Sequence, residues 1–210
     1  MNSIISCIIN TYITTHTDPQ DKLLQEIEKE AKDIGLHYPM ASGHLQGNLL
    51  QILSTIAKPK KALEIGTFIG YSTICIAKGL ADKGSLVSID NNLNHINFAK
   101  KFIQKTNYNI QLICQDAKEF LQNLDFEPDF VFIDANKKSN LLYYKLVIDK
   151  LQPSGVIIID NVLNKGLVTE NGSNSINKSF IELNDFIAKD EKVLKIILPV
   201  RDGLLLIVKK

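Results

Sequence analysis

From Lys61 onward the chain alternates short apolar runs with segments of helical periodicity, and that alternation leaves few folds open. The runs Ala62–Ile65, Leu86–Ile89, Ile110–Cys114, Phe130–Ile133 and Val156–Ile159 are short and rich in Val, Ile and Leu, as strands buried on both faces are. Between and after them, Tyr71–Leu80, Leu93–Gln104, Ala117–Leu124, Leu141–Leu151 and Ile176–Ala188 read as helices. Repeated strand–helix alternation means a parallel sheet with right-handed crossovers. The final runs, Val193–Leu198 and Leu204–Lys209, have only Pro199–Gly203 between them, so they form a hairpin whose last strand runs antiparallel. Ahead of the sheet, Ile4–Thr14, Gln20–Gly35 and Leu45–Ala57 carry helical spacing. The expectation is one α/β domain over residues 1–210, with N-terminal helices over 1–57 and an α/β core over 61–210.

Charge and cysteine usage narrow the class of partner. The chain has 24 basic and 23 acidic residues, scattered rather than blocked, which gives no footprint for nucleic acid or an anionic membrane. A small-molecule partner is expected. Arg201 is the only arginine, leaving little for bidentate clamping of phosphates. Cys7, Cys75 and Cys114 are odd in number and lack CxxC spacing, and two fall in expected core segments, so reduced structural thiols and a cytoplasmic location are expected. Ile4, Ile5, Ile8 and Ile9 surround Cys7 without a preceding Lys or Arg, which favours an amphipathic helix over a secretory leader. No run approaches the roughly eighteen apolar residues that a membrane helix needs.

Parallel strands release functional side chains at their carboxyl ends. Two such ends carry Asp134-Ala-Asn-Lys137 and Asp160-Asn161, together three oxygen ligands and an amine. Asp and Asn oxygens suit Mg2+, Mn2+ or Ca2+ better than metals that prefer Cys and His, so the set fits a hard cation held against an acidic hydroxyl. Each residue also has a bland reading, as a strand-end turn, a cap or a solvated lysine. The first strand leads into Glu64-Ile-Gly66-Thr67-Phe-Ile-Gly70-Tyr-Ser72, where Gly66 allows close approach of the backbone and the helix start with Ser72 offers donors to a carboxylate. The loop lacks the middle glycine of GxGxxG, which disfavours a pyrophosphate cofactor. Asp90 ends the second strand, where a carboxylate can accept ribose hydroxyls, and Gln115-Asp116-Ala117 follows the third, placed to bracket an adenine edge. Each acidic residue alone is commonly a helix cap; their occurrence at successive strand ends favours a ligand role. The polar stretch between Asn161 and Asn177 is short enough to be a flexible active-site loop.

Leu63–Ser72 together with Ser88-Ile-Asp90, Phe132-Ile-Asp-Ala-Asn-Lys137, Asp160-Asn-Val-Leu163 and Leu198-Pro-Val-Arg-Asp-Gly203 resembles the cation-dependent O-methyltransferases that use S-adenosylmethionine, relatives of the catechol and caffeoyl-CoA enzymes. The resemblance implies a Rossmann-like seven-stranded α/β sheet, mostly parallel with an antiparallel last strand and helices on both faces. It implies Asp134, Asp160 and Asn161 as ligands of a divalent cation, Mg2+ foremost, and Lys137 as general base. It implies cofactor contacts at Ser42, Glu64, Gly66, Thr67, Ser72, Asp90, Asp116, Ala117, Asp134 and Asn136, and an acceptor site near Met40, Asn164 and Lys165. A small phenolic acceptor with vicinal hydroxyls and a homodimer follow from it too, the dimer with Ile4, Ile8 and Leu23 as apolar interface candidates. Departures are Asn136 in place of Asp or Trp, Asn164 in place of a common Trp, and Arg201 in place of a small residue. Rival readings are a cofactor-binding protein without catalysis, and a metal-independent methyltransferase or aminopropyltransferase on the same fold. Neither needs the Asp134, Lys137, Asp160, Asn161 set.

Overall fold

A computed structural model describes residues 7–36, 42–169 and 175–210. Helices α1 (Cys7–Thr15), α2 (Lys22–Asp33) and α3 (Gly43–Ala57) precede the sheet. Then come β1 (Lys61–Ile65), α4 (Tyr71–Ala77), β2 (Ser85–Asp90), α5 (Leu93–Ile103), β3 (Ile110–Cys114), α6 (Ala117–Gln122), β4 (Phe130–Ile133), α7 (Asn140–Ile148) and β5 (Val156–Asp160). The chain closes with α8 (Ser175–Lys189), β6 (Val193–Leu198) and β7 (Leu204–Lys209). The seven strands lie in the order β3-β2-β1-β4-β5-β7-β6. Pairings through β5 are parallel, and β7 runs antiparallel between β5 and β6, as the short Pro199–Gly203 link requires.

Side-chain alternation along each strand divides the core into two layers. Ala62, Leu86, Phe130, Phe132 and Ile158 join α2, α3, α4 and α5 in one apolar cluster. Their sequence neighbours Leu63, Val131, Ile133, Ile157 and Ile159 join α7 and α8 in the other. Saturated apolar runs are therefore needed because both faces of every central strand are covered. The edge strands β3 and β6 are less fully covered, and on β6 Leu194 and Ile196 remain exposed.

Several local expectations need correction. Cys75 is buried, and burial pushes its thiol up to about 12, but Cys114 is exposed rather than part of the core. Ile8 on α1 is 83% exposed and Leu23 packs partly against an apolar cluster; Ile4 lies outside the described residues. Among the described residues, no helix is long and apolar enough to cross a membrane.

The chain runs from β1 outward to β2 and β3, then returns to place β4 on the other side of β1. Crossovers leave the sheet in opposite directions there, which opens a crevice at the carboxyl ends of the strands.

Candidate active site

Three strand ends are joined backbone to backbone at the crevice. Gly66 donates its N–H to Ile89 O at 2.8 Å, and Asp134 donates its N–H to Ile65 O at 2.9 Å. Gly66 has φ +108, and a Cβ there would lie 2.2 Å from the Asp134 carbonyl oxygen, so only glycine allows β1 and β4 to approach this closely before separating. Beyond these contacts lies a cavity of about 660 Å3, a size suited to a ligand of a few tens of atoms.

One half of the cavity is built on β2 and β3. Asp90 accepts from the backbone N–H groups of Phe68 and Asn92, both at 2.9 Å, and pairs with His95 Nδ1 at 3.2 Å. Phe68 adopts φ +46 to reach Asp90, and its ring meets the His95 ring edge to face with centroids 4.9 Å apart. Asp116 caps α6 by accepting from Lys118 and Glu119, and Asn136 caps a short 3-10 turn at Lys137–Ser139. Both caps nonetheless line the cavity, so the capping and lining roles coexist.

The other half gathers the charged groups at the ends of β4 and β5. The Lys137 ammonium donates to Asp134 Oδ1, and both side chains are largely buried. Asp160 is 2% exposed. It accepts from Gln46 Nε2 at 2.9 Å and from the Asn161 N–H at 2.6 Å. Burial pushes the Asp160 carboxyl up to about 7, with the Asp134 charge adding to the effect and Lys137 and Gln46 opposing it. Asn161 turns the chain out of β5 at φ +62, a conformation Asn tolerates better than most residues. Beyond it, Val162 and Leu163 donate to the carbonyls of Gly203 and Asp202, which ties the β6–β7 link to this corner. Among the described residues, no group of three His, Cys, Asp or Glu side chains could hold a metal; two carboxylates and the Asn161 amide are the donors available to a hard cation. A buried carboxylate and a half-buried one lining the same cavity suit that occupant.

The expected site residues divide into two sets. Gly66, Asp90, Asp116, Ala117, Asp134, Asn136, Lys137, Asp160, Asn161, Asn164 and Lys165 line the one cavity. Ser42, Glu64, Thr67 and Ser72 are buried behind its wall instead. Glu64 is fully buried and accepts from the hydroxyls of Thr73 and, at 2.5 Å, Ser88, while Thr67 bonds to Ser88 at 2.6 Å. Glu64 Oε1 has no hydrogen-bond partner among the described residues. Burial pushes the Glu64 carboxyl up to about 7, with the Ser72, Ser88 and Thr73 hydroxyls opposing. Met40 lies outside the described residues.

Other lining residues were not singled out from the sequence. Tyr143 and Phe180 supply apolar wall, and His95 belongs to the site through its contact with Asp90. Gln46 carried no site signal beyond its place four residues before Leu50 on the buried stripe of α3.

The O-methyltransferase family model matches residues 14–210. The chain belongs to the O-methyltransferase family. A probable caffeoyl-CoA O-methyltransferase 1 of Dictyostelium discoideum is 31% identical over 99% of this chain and 92% of its own length. An O-methyltransferase from Bacillus cereus, solved in complex with SAH, superposes with a TM-score of 0.87 at 28% identity, covering 97% of each chain. An O-methyltransferase of tomaymycin synthesis from Streptomyces achromogenes, solved in complex with SAM, superposes at 0.86 with 25% identity over 97% of this chain and 96% of its own.

Proposed function

We propose that this O-methyltransferase moves a methyl group from S-adenosylmethionine to one hydroxyl of a small phenolic acceptor with vicinal hydroxyls, held by a divalent cation, with Lys137 as the base. The observation that carries the reading is the convergence of Asp134, Asp160, Asn161 and Lys137 on one cavity that also includes Asp90 and Ala117.

The β2–β3 half suits the nucleoside end of the donor. Asp90 is fixed by two backbone amides, and its carboxylate oxygens retain further acceptor capacity for ribose hydroxyls. Gly66 and Ala117 keep the adjoining wall free of bulky side chains. The donor supplies a methyl on a positively charged sulfur that departs as a neutral thioether, so no residue need act as an acid on the leaving group.

Asp134, Asp160 and Asn161 would hold the cation, which when bound lowers the pKa of a coordinated hydroxyl and fixes the acceptor's two oxygens. Lys137 then takes the acceptor's proton at Nζ once its amine is neutral and released from Asp134. Tyr143 and Phe180 offer an apolar wall to an aromatic ring and help exclude water from the reacting oxygen. The Lys137–Asp134 ion pair favours one second reading, a metal-independent transferase in which the ammonium itself neutralises Asp134.

The test is methyl transfer from S-adenosylmethionine to a panel of catechols and monophenols, with Mg2+ and with EDTA, read by mass spectrometry of the acceptor. Metal-dependent gain confined to vicinal diols supports the first reading. Transfer that persists in EDTA supports the second.

A further inference from the structure

Asp160 is reached by a pair of residues that the proposed reaction leaves unused, one of which, Arg201, also lines the cavity. Gln46, on α3, is completely buried, and its Nε2 donates to Asp160 Oδ2 at 2.9 Å. Its Oε1 accepts from an Arg201 guanidinium nitrogen at 3.1 Å, and the same nitrogen donates to the backbone carbonyl of Ser42 just ahead of α3. Arg201 sits in the β6–β7 link at φ +53, next to Asp202 and Gly203, whose carbonyls hold the backbone leaving β5. One link therefore grips the Asp160–Asn161 corner twice, once through the backbone and once through Gln46.

The order of donors matters. A glutamine amide has nearly the same shape either way round, and only its partners decide which end points where. Arginine has donors and no acceptor, so the end facing Arg201 must be Oε1 and the end facing Asp160 must be the N–H. Without a donor at position 201, the Oε1 of the completely buried Gln46 loses the Arg201 hydrogen bond, and the side chain is held in place only through its N–H to Asp160. With that donor in place, the Gln46 N–H and the Asn161 N–H fix the two oxygens of Asp160 separately.

We propose that Arg201 and Gln46 are positioning residues that orient the Asp160 carboxylate for the divalent cation, Arg201 by fixing the sense of the Gln46 amide. The inference rests on the cation reading above. Groups that orient a metal's ligands in this way affect affinity about 10- to 100-fold.

The experiment is titration of the full chain with Mn2+, without acceptor, followed by the free-ion electron paramagnetic resonance signal. Wild type and Asp160→Ala come first. If wild type binds no Mn2+, or Asp160→Ala binds it equally well, the cation reading itself fails. If Asp160→Ala alone loses the ion, Arg201→Met and Gln46→Leu are compared next, with S-adenosylmethionine affinity measured in parallel. Mn2+ affinity lowered about 10- to 100-fold with unchanged cofactor affinity, and partly restored in Arg201→Lys, is the expected result. Wild-type Mn2+ affinity in Arg201→Met overturns the proposal. Arg201 is only half-buried, so Arg201→Met keeps the test open if Gln46→Leu does not fold.

Discussion

Lys137 reaches back three residues to donate its ammonium to the carboxylate of Asp134. The base and a cation ligand of the proposed mechanism thus satisfy one another in this structure. The ammonium must leave Asp134 and give up a proton to solvent before Nζ can serve as a base, and while it stays it competes with any cation for the same oxygens. Lys137→Met is therefore expected to move two measurements in opposite directions. Turnover falls about 10^2- to 10^4-fold, the usual worth of a positioned base. Affinity for Mn2+ rises, because a competing positive charge is gone, and S-adenosylmethionine affinity stays level. Metal titration beside steady-state kinetics reads both, and turnover that survived the substitution would rule out the base role.

Glu64 makes stability depend on pH in an unusual direction. Its carboxyl is pushed from 4.5 up to about 7, chiefly by burial between β1, β2 and α4. Between those values the folded chain retains a proton that the unfolded chain has released. The folded state thus binds more protons, and stability falls as pH rises through the window. The penalty is negligible below about pH 4 and complete above about pH 8, where it amounts to roughly 3 kcal/mol. Glu64→Gln removes the titrating group. Thermal melts of the ligand-free protein from pH 5 to 8 should show a declining midpoint in wild type and a flatter one in the variant. Parallel slopes would mean that Glu64 is ionised throughout.

What could be read from the sequence follows the range of the forces involved. Phe130–Ile133 is bounded correctly because a strand covered on both faces has to be apolar at every position, a local signature. The antiparallel β7 is legible for a similar reason, since a five-residue link permits only a hairpin. The insertion of β7 between β5 and β6 is not, because it depends on which edge the hairpin offers to β5. At the site, Asp134, Asp160 and Asn161 are legible as strand-end residues. Gln46 is not, because a glutamine in an amphipathic helix reads as solvent-facing, and its partner Asp160 is 114 positions away. Arg201 has no meaning in the sequence until folding brings the β6–β7 link beside α3. Glu64 and Thr67 lie in the motif that bounds the cavity, yet they turn inward to a hydroxyl cluster behind it.

Gly66 is required twice over, by its backbone angle and by its neighbour. At φ +108 any side chain is strained, and a methyl group would meet the Asp134 carbonyl 2.2 Å away. Relief requires β1 and β4 to separate where Asp134 enters the cavity. Gly66→Ala is expected to cost more than about 2 kcal/mol of stability and to weaken S-adenosylmethionine binding at least tenfold. Chemical denaturation and calorimetric titration measure the two effects. A variant with wild-type stability would mean that these strand ends yield more readily than the contact implies.

Asp134 and Asp160 place two carboxylates on one buried corner, and the repulsion between them gives a signature that depends on whether a cation is present. Without metal, Asp160→Asn removes a buried charge facing another of the same sign, at a site where desolvation already disfavours ionisation. The metal-free variant should therefore melt higher than metal-free wild type at pH 8. With metal the order reverses. Wild type gains RT ln(1 + [L]/Kd), about 2.7 kcal/mol at a hundredfold excess of free ion over Kd, while the variant, lacking a charged ligand, gains little. Melts of both proteins at pH 8, with EDTA and with Mn2+, supply the four values needed. A variant less stable than wild type in EDTA would show that the Gln46 and Asn161 hydrogen bonds to a charged Asp160 outweigh the repulsion, and equal gains from Mn2+ in both proteins would remove Asp160 from the cation site.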